Sequence, residues 1–242
     1  MATLYPASDR HPDRLFFTLM GLFVAATVFA GFARTYYLAH WLEAPARTPE
    51  ITPLLNLHAL VFTGWIVLGV VQPALVASGR VALHRRLGYA GAVLALLVWA
   101  LGNVAAVEAI HAGYEGVGDP HAFYAITFFS IQAFAIIVAL GVLKRADADA
   151  HKRLMLLSSA AILEAAVGRL PLALVVETAP LSFYLGADLI IFAGILYDLA
   201  SRGRIHAVWL WGGGALVLSQ ALRVAIMDSE PWLAFAHWAA SL

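Results

Sequence analysis

The chain has 242 residues, 62% of them hydrophobic and only 12% charged, against roughly 45–50% and about 25% in an ordinary soluble domain, so a soluble globular protein is excluded. Fifteen basic residues balance fifteen acidic ones, leaving no net basic field for nucleic acid, which is not an expected partner. Cysteine is absent, which removes disulfides, thiolate metal sites, iron–sulfur clusters and thiol catalysis.

Residues 1–14 are polar, and the apolar run behind them is longer than a signal-peptide core, so it reads as a retained first helix. Seven charge-poor stretches follow at 15–33, 57–78, 87–107, 121–143, 154–176, 181–197 and 206–222. Each is near the roughly 20 residues that cross a bilayer core. They are continuously apolar and do not alternate, which argues against a β-barrel. The expected fold is one all-α integral membrane bundle of seven transmembrane helices over residues 1–242, whose partner is the lipid bilayer. Residues 231–242, with Trp232, Phe235 and Trp238, read as an aromatic interfacial tail.

Arg10, Arg14, Arg80, Arg85, Arg86, Lys144, Arg145, Lys152, Arg153, Arg202 and Arg204 fall on one side of such a bundle. Only Arg34, Arg47, Arg169 and Arg223 fall on the other. Eleven against four predicts a cytoplasmic N-terminus and an outer C-terminus.

Ionisable groups inside a bilayer are costly and usually face the bundle interior with partners. On the outer half stand Arg34, His58, Asn103, Glu164, Arg169, Asp188, Gln220 and Arg223. Glu164 and Arg169 are five apart, about 140° around a helix, so each is expected to pair elsewhere: Glu164 with Arg34 or Arg223, and Asp188 with Arg169. One reading makes these structural bonds between helices. The other makes them an outward cavity for a small anionic or amphiphilic ligand, with the arginines as counter-charges. His58, Trp65 and Gln72 are seven apart and share a face of the second stretch. His121 and Gln132 share one on the fourth.

On the cytoplasmic side His84, His151 and His206 open the third, fifth and seventh stretches at nearly one depth. Helix N-termini carry partial positive charge and favour the neutral imidazole a metal needs. With Asp198 these three could bind zinc, or the histidines could hold a haem iron axially. The same runs, His84-Arg85-Arg86 and His151-Lys152-Arg153, also suit an interfacial charge anchor. A weak parallel repeat relates His58-x6-Trp65-x6-Gln72 followed by His84-Arg85-Arg86-Leu87 to His121-x6-Phe128-x3-Gln132 followed by His151-Lys152-Arg153-Leu154. P-loop, Gly-x-Gly-x-x-Gly, His-Glu-x-x-His and Gly-x-Ser-x-Gly motifs are missing.

The phrases Gly31-Phe32-Ala33-Arg34-Thr35-Tyr36-Tyr37, His84-Arg85-Arg86-Leu87-Gly88, His151-Lys152-Arg153-Leu154-Met155 and Gly203-Arg204-Ile205-His206 resemble those of a family of uncharacterised bacterial inner-membrane proteins with seven helices. The chain is more distantly similar to the cytochrome b561 proteins, in which four histidines on four consecutive helices hold two b haems. That similarity implies His58 and His121 for one haem b and His84 and His151 for the other. The shallow position of His121 and the short interval from His58 to His84 depart from the pattern. The topology is also similar to that of the adiponectin-receptor-like zinc hydrolases, but His206 lacks the second histidine one turn away that they carry. The leading expectation is a membrane redox protein binding b-type haem. The alternatives are a zinc-dependent intramembrane hydrolase and a non-enzymatic binding or transport protein.

Overall fold

The computed structural model describes residues 10–45, 50–113 and 118–242. Arg47 and the first nine residues of the polar N-terminal stretch lie outside them. The described chain is helical, with no strand among the described residues. Helices α1 (Arg10–Phe32, prolonged by a π-turn at Ala33–Tyr37), α2 (Pro53–Ala77), α3 (Val81–His111) and α4 (Pro120–Leu143) come first. The shorter α5 (Ala148–Ala160), α6 (Glu164–Val167) and α7 (Ala173–Glu177) follow. The chain then forms α8 (Leu185–Arg202), a π-turn at Val208–Gly213, α9 (Gly214–Ile226) and α10 (Glu230–Ala240).

The ends are set by local chemistry. Thr52 caps α2 by accepting from Leu55 N at 3.2 Å, ahead of Pro53. Asp119 caps α4 through His121 N at 3.0 Å, ahead of Pro120. Asp147 caps α5 through Asp149 N and Ala150 N, both at 3.1 Å. A side-chain oxygen in these positions answers amide groups that the first helical turn leaves unpaired, and proline there has no amide to lose. Gly203, at φ 65°, ends α8 in the left-handed conformation that costs glycine nothing.

Among the described residues, six helices are long and apolar enough to cross a membrane: Pro12–Tyr37, Pro53–Ala77, Val81–His111, Pro120–Leu143, Leu181–Arg202 and Val208–Ile226. This is a multi-pass membrane protein. Leu96, Phe192, Trp211 and Leu218 point outward from these helices, an arrangement that lipid tolerates and water would not.

The fifth apolar stretch is not a continuous helix. Ser158 turns its hydroxyl to the Met155 carbonyl at 2.8 Å, and α5 stops at Ala160. The chain bends through Ala161, Ile162 and Leu163, then forms the one-turn α6. Gly168 and Pro171 prevent that turn from lengthening. Serine side chains that bond their own backbone compete with helix continuation, and irregular backbone at membrane depth persists only where protein covers it. Here it is covered: Ala160, Ala161, Leu163 and Ala166 are among the most buried residues. The segment begins beside the end of α4, where His151 Nδ1 meets the Gly141 carbonyl at 2.8 Å. Midway, Ser159 Oγ accepts from Trp65 Nε1 at 3.2 Å. Its far part lies on α1, where a Cβ added to Gly31 would stand 2.1 Å from the Ala166 carbonyl oxygen.

Gly21 lets α1 approach α2 in the same way, 2.9 Å separating such a Cβ from the Gly69 carbonyl oxygen. The tail expected at the interface is the helix α10, which folds back on α4. Trp232 is buried there and donates to the His121 carbonyl at 3.0 Å.

Candidate functional site

At the end of the bundle where α1 starts, henceforth the basal end, six charges interlock. Arg153 and Asp198 are both 0% exposed. Arg153 Nε donates to Asp198 Oδ2 at 2.9 Å, and Nη2 donates to Oδ1. Its Nη1 reaches the Asp149 carbonyl at 2.7 Å. Arg202 holds both oxygens of Asp13 at 2.7 Å and reaches Asp198 at 3.1 Å. Lys152 binds Asp13 at 2.6 Å and also Asp149. Tyr197 donates to Asp13 at 2.5 Å. Three cations face three carboxylates from α1, α5 and α8, so the network is neutral and ties those helices together. Burial pushes the Asp149 carboxyl up, but the Lys152 hydrogen bond and the Lys152, Arg153 and Arg202 charges outweigh it and hold it below the ordinary carboxylate range.

Two of the residues expected to hold zinc, Asp198 and His206, have other partners here. Asp198 is committed to two guanidinium groups, and its Oδ2 also takes the His206 N–H at 3.3 Å. His206 Nδ1 accepts from Val208 N at 3.2 Å, a local cap. Among the described residues no three His, Asp or Glu side chains converge as a metal site.

His84 and His151 do come together. Their ring centres are 6.3 Å apart and the planes nearly perpendicular, at 87°. Both rings are half-buried. His151 Nδ1 lies on the Gly141 carbonyl at 2.8 Å; as the donor it leaves Nε2 with a free lone pair. With its amide turned so that the oxygen takes the Gly88 N–H at 3.2 Å, Gln72 places its nitrogen 2.7 Å from His84 Nδ1; turned the other way, the oxygen faces Nδ1 and can accept its proton. One turn further along α3 opens an apolar groove of about 370 Å³ between Gly64, Val67, Leu68 and Val71 of α2 and Leu87, Ala90, Gly91 and Leu94 of α3. His84 precedes Leu87 by three residues, which puts it on the groove's side of α3.

The outer residues divide among separate contacts. His58 packs its ring on Phe62, centres 4.1 Å apart. His121 instead stacks on His237 at 3.9 Å and bonds Asp119 at 3.2 Å. Asn103 and Gln132 lock α3 to α4: Gln132 donates to Asn103 at 2.8 Å, and Trp99 donates to Gln132 at 2.9 Å. Arg34 turns to the Glu43 carbonyl at 2.9 Å. Arg169 bonds the Ala165 carbonyl at 2.6 Å and stands over the Phe32 ring at 4.7 Å. Glu164, Asp188, Gln220 and Arg223 gather with Ser130 and Tyr184. There Arg223 Nη1 donates to Ser130 at 2.5 Å, Glu164 faces Arg223 and Ser130, and Asp188 faces Gln220.

Ser130 and Tyr184 could not be singled out in sequence, since a lone serine or tyrosine in an apolar run carries no spacing signal. Asp13 and Asp149 lie outside the apolar stretches, where hydropathy marks no particular role for them. Comparison with known proteins finds no matching family, no matching curated protein and no matching solved structure.

Proposed function

We propose that this is a redox protein of a bacterial inner membrane that holds one b-type haem between His84 and His151. The observation that carries the reading is the 6.3 Å separation of their ring centres. Two imidazoles sharing one metal, each bonded at about 2 Å, stand with ring centres roughly 6 Å apart. The Gly141 carbonyl on His151 supplies the outer hydrogen bond that orients a ligating imidazole. The groove beside Leu87 offers an apolar wall for a macrocycle, and Arg85 and Arg86 are exposed beside it to pair with its carboxylates. Bound there, the haem would supply one-electron exchange. The reading is confined to one haem because the His58 and His121 rings have different neighbours, Phe62 and His237.

Protein expressed with ample haem and purified should show a Soret band and a reducible α-band. His84→Ala and His151→Ala should each abolish both bands, while His121→Ala leaves them intact. A folded, colourless wild-type protein overturns the proposal.

The topology belongs to the same reading. Arg14 reaches the Ala77 carbonyl at 3.3 Å, and Lys152, Arg153 and Arg202 join it at the basal end. That clustering supports a cytoplasmic basal end. Counting the broken segment as a seventh crossing then puts the C-terminus outside. A reporter fused after Leu242 should be active only in a form that works outside the cytoplasm; cytoplasmic activity removes the seventh crossing.

A further inference from the structure

The polar cluster around Arg223 is built at the break in the fifth apolar stretch, and its charges do not balance. Glu164, 6% exposed, opens α6 at the bend. Its carboxyl faces the Ser130 hydroxyl on α4 and the Arg223 charge on α9. Arg223 is 2% exposed. Its Nη1 donates to Ser130 at 2.5 Å and its Nε to Ser219 at 3.1 Å, but Nη2 has no partner among the described residues. The guanidinium stands 5.8 Å over the ring of Tyr184, whose buried hydroxyl faces the Arg223 side chain. Tyr184 is flanked by Glu164 and Asp188. Asp188 on α8 faces the Gln220 amide, and its buried Oδ1 is likewise without a partner. The remaining element against α6 is α1, which brings the Gly31 backbone. The nearby cations are engaged elsewhere, Arg34 on the Glu43 carbonyl and Arg169 on the Ala165 carbonyl.

Two carboxylates therefore stand in one cluster with a single guanidinium, Glu164 facing it directly and Asp188 across Tyr184, and the guanidinium stays protonated. Ionising both acids would leave an uncompensated charge among apolar helices, where charge is least tolerated. We propose that this cluster is a proton-binding site in which Glu164 and Asp188 together hold one exchangeable proton opposite the charge of Arg223. A carboxylate at a break in a membrane helix is also the kind of group that binds protons and ions within bilayers. The cluster uses neither His84 nor His151, so it stands or falls independently of the haem reading.

Infrared spectra of the full-length protein in detergent micelles at neutral pH test this directly, because a protonated carboxyl has a carbonyl stretch that a carboxylate lacks. The wild type should show one such band, shifted in D2O. Asp188→Asn should abolish it. Glu164→Gln should abolish it too, because Asp188 then ionises to balance Arg223. Arg223→Gln should double it, because both acids then hold protons. Absence of the band from the wild type overturns the proposal without reference to any variant. Survival of the band in either carboxyl variant that still elutes as a folded, monodisperse species also overturns it, as does an unchanged band in folded Arg223→Gln.

Discussion

Replacing Asp198 with asparagine keeps the shape of the side chain and removes its charge. Arg153 then loses the carboxylate that takes its Nε at 2.9 Å and its Nη2. It keeps the Asp149 carbonyl at 2.7 Å, the Asp149 carboxylate at 3.4 Å and at most one bond to the new amide oxygen, which carries no charge. Arg202 is less affected, since Asp13 still holds it through both oxygens at 2.7 Å. Both Arg153 and Asp198 are fully buried. Breaking such a pair from one side leaves an uncompensated charge and costs about 3–5 kcal/mol, whereas replacing both partners by apolar groups is often near neutral. Asp198→Asn should therefore lower unfolding free energy by about 3–5 kcal/mol, and Arg153→Met with Asp198→Leu should recover most of that loss. Titration with SDS in mixed micelles, followed by the fluorescence of the seven tryptophans, measures both. A single-variant loss below about 1 kcal/mol, the value of an exposed pair, would refute the reasoning. So would a double variant no more stable than Asp198→Asn alone.

Two further outcomes follow from the packing of α1 and from the basal charges. Gly31→Ala places a methyl 2.1 Å from the Ala166 carbonyl oxygen, a backbone atom that cannot rotate away, so α1 and the broken segment must separate; a loss of about 1–3 kcal/mol is expected in the same titration, and an unchanged midpoint would contradict the contact. Because the Asp149 carboxyl lies below the ordinary range in the folded protein, its contribution is fully present above that ordinary range and is lost as the pH falls through the lowered value. Asp149→Asn should accordingly flatten the acid limb of thermal stability, modestly because the side chain is 43% exposed, and an identical acid limb in the variant would remove Asp149 from the network.

Much of the membrane architecture is legible in composition. Long apolar runs must satisfy their backbone internally, so they become helices wherever lipid is the solvent. The Asp119-Pro120 pair likewise marks the start of α4 by its own chemistry. Hydropathy also distinguishes membrane from water for the fifth stretch, but it cannot tell a straight crossing from a broken one. Both expose the same side chains to an apolar medium, and only the cover provided by α1, α2 and α4 permits the bend at residues 161–163.

The same division runs through the polar residues. Helical periodicity puts His84 and His151 at one depth, but depth alone leaves their lateral positions open, and the meeting of the two rings depends on how α3, α4 and α5 pack. Glu164 and Arg223 stand out in sequence because charge is rare inside a bilayer. Their shared hydroxyl, Ser130, and the intervening Tyr184 do not stand out, because such residues are common in apolar helices. Asp198 carries the plainest difference. Its type and its place at the end of α8 suit a metal ligand as well as an ion-pair partner. The ion pair depends on the buried Arg153, which is 45 residues away in the chain and is brought to Asp198 only by the tertiary fold.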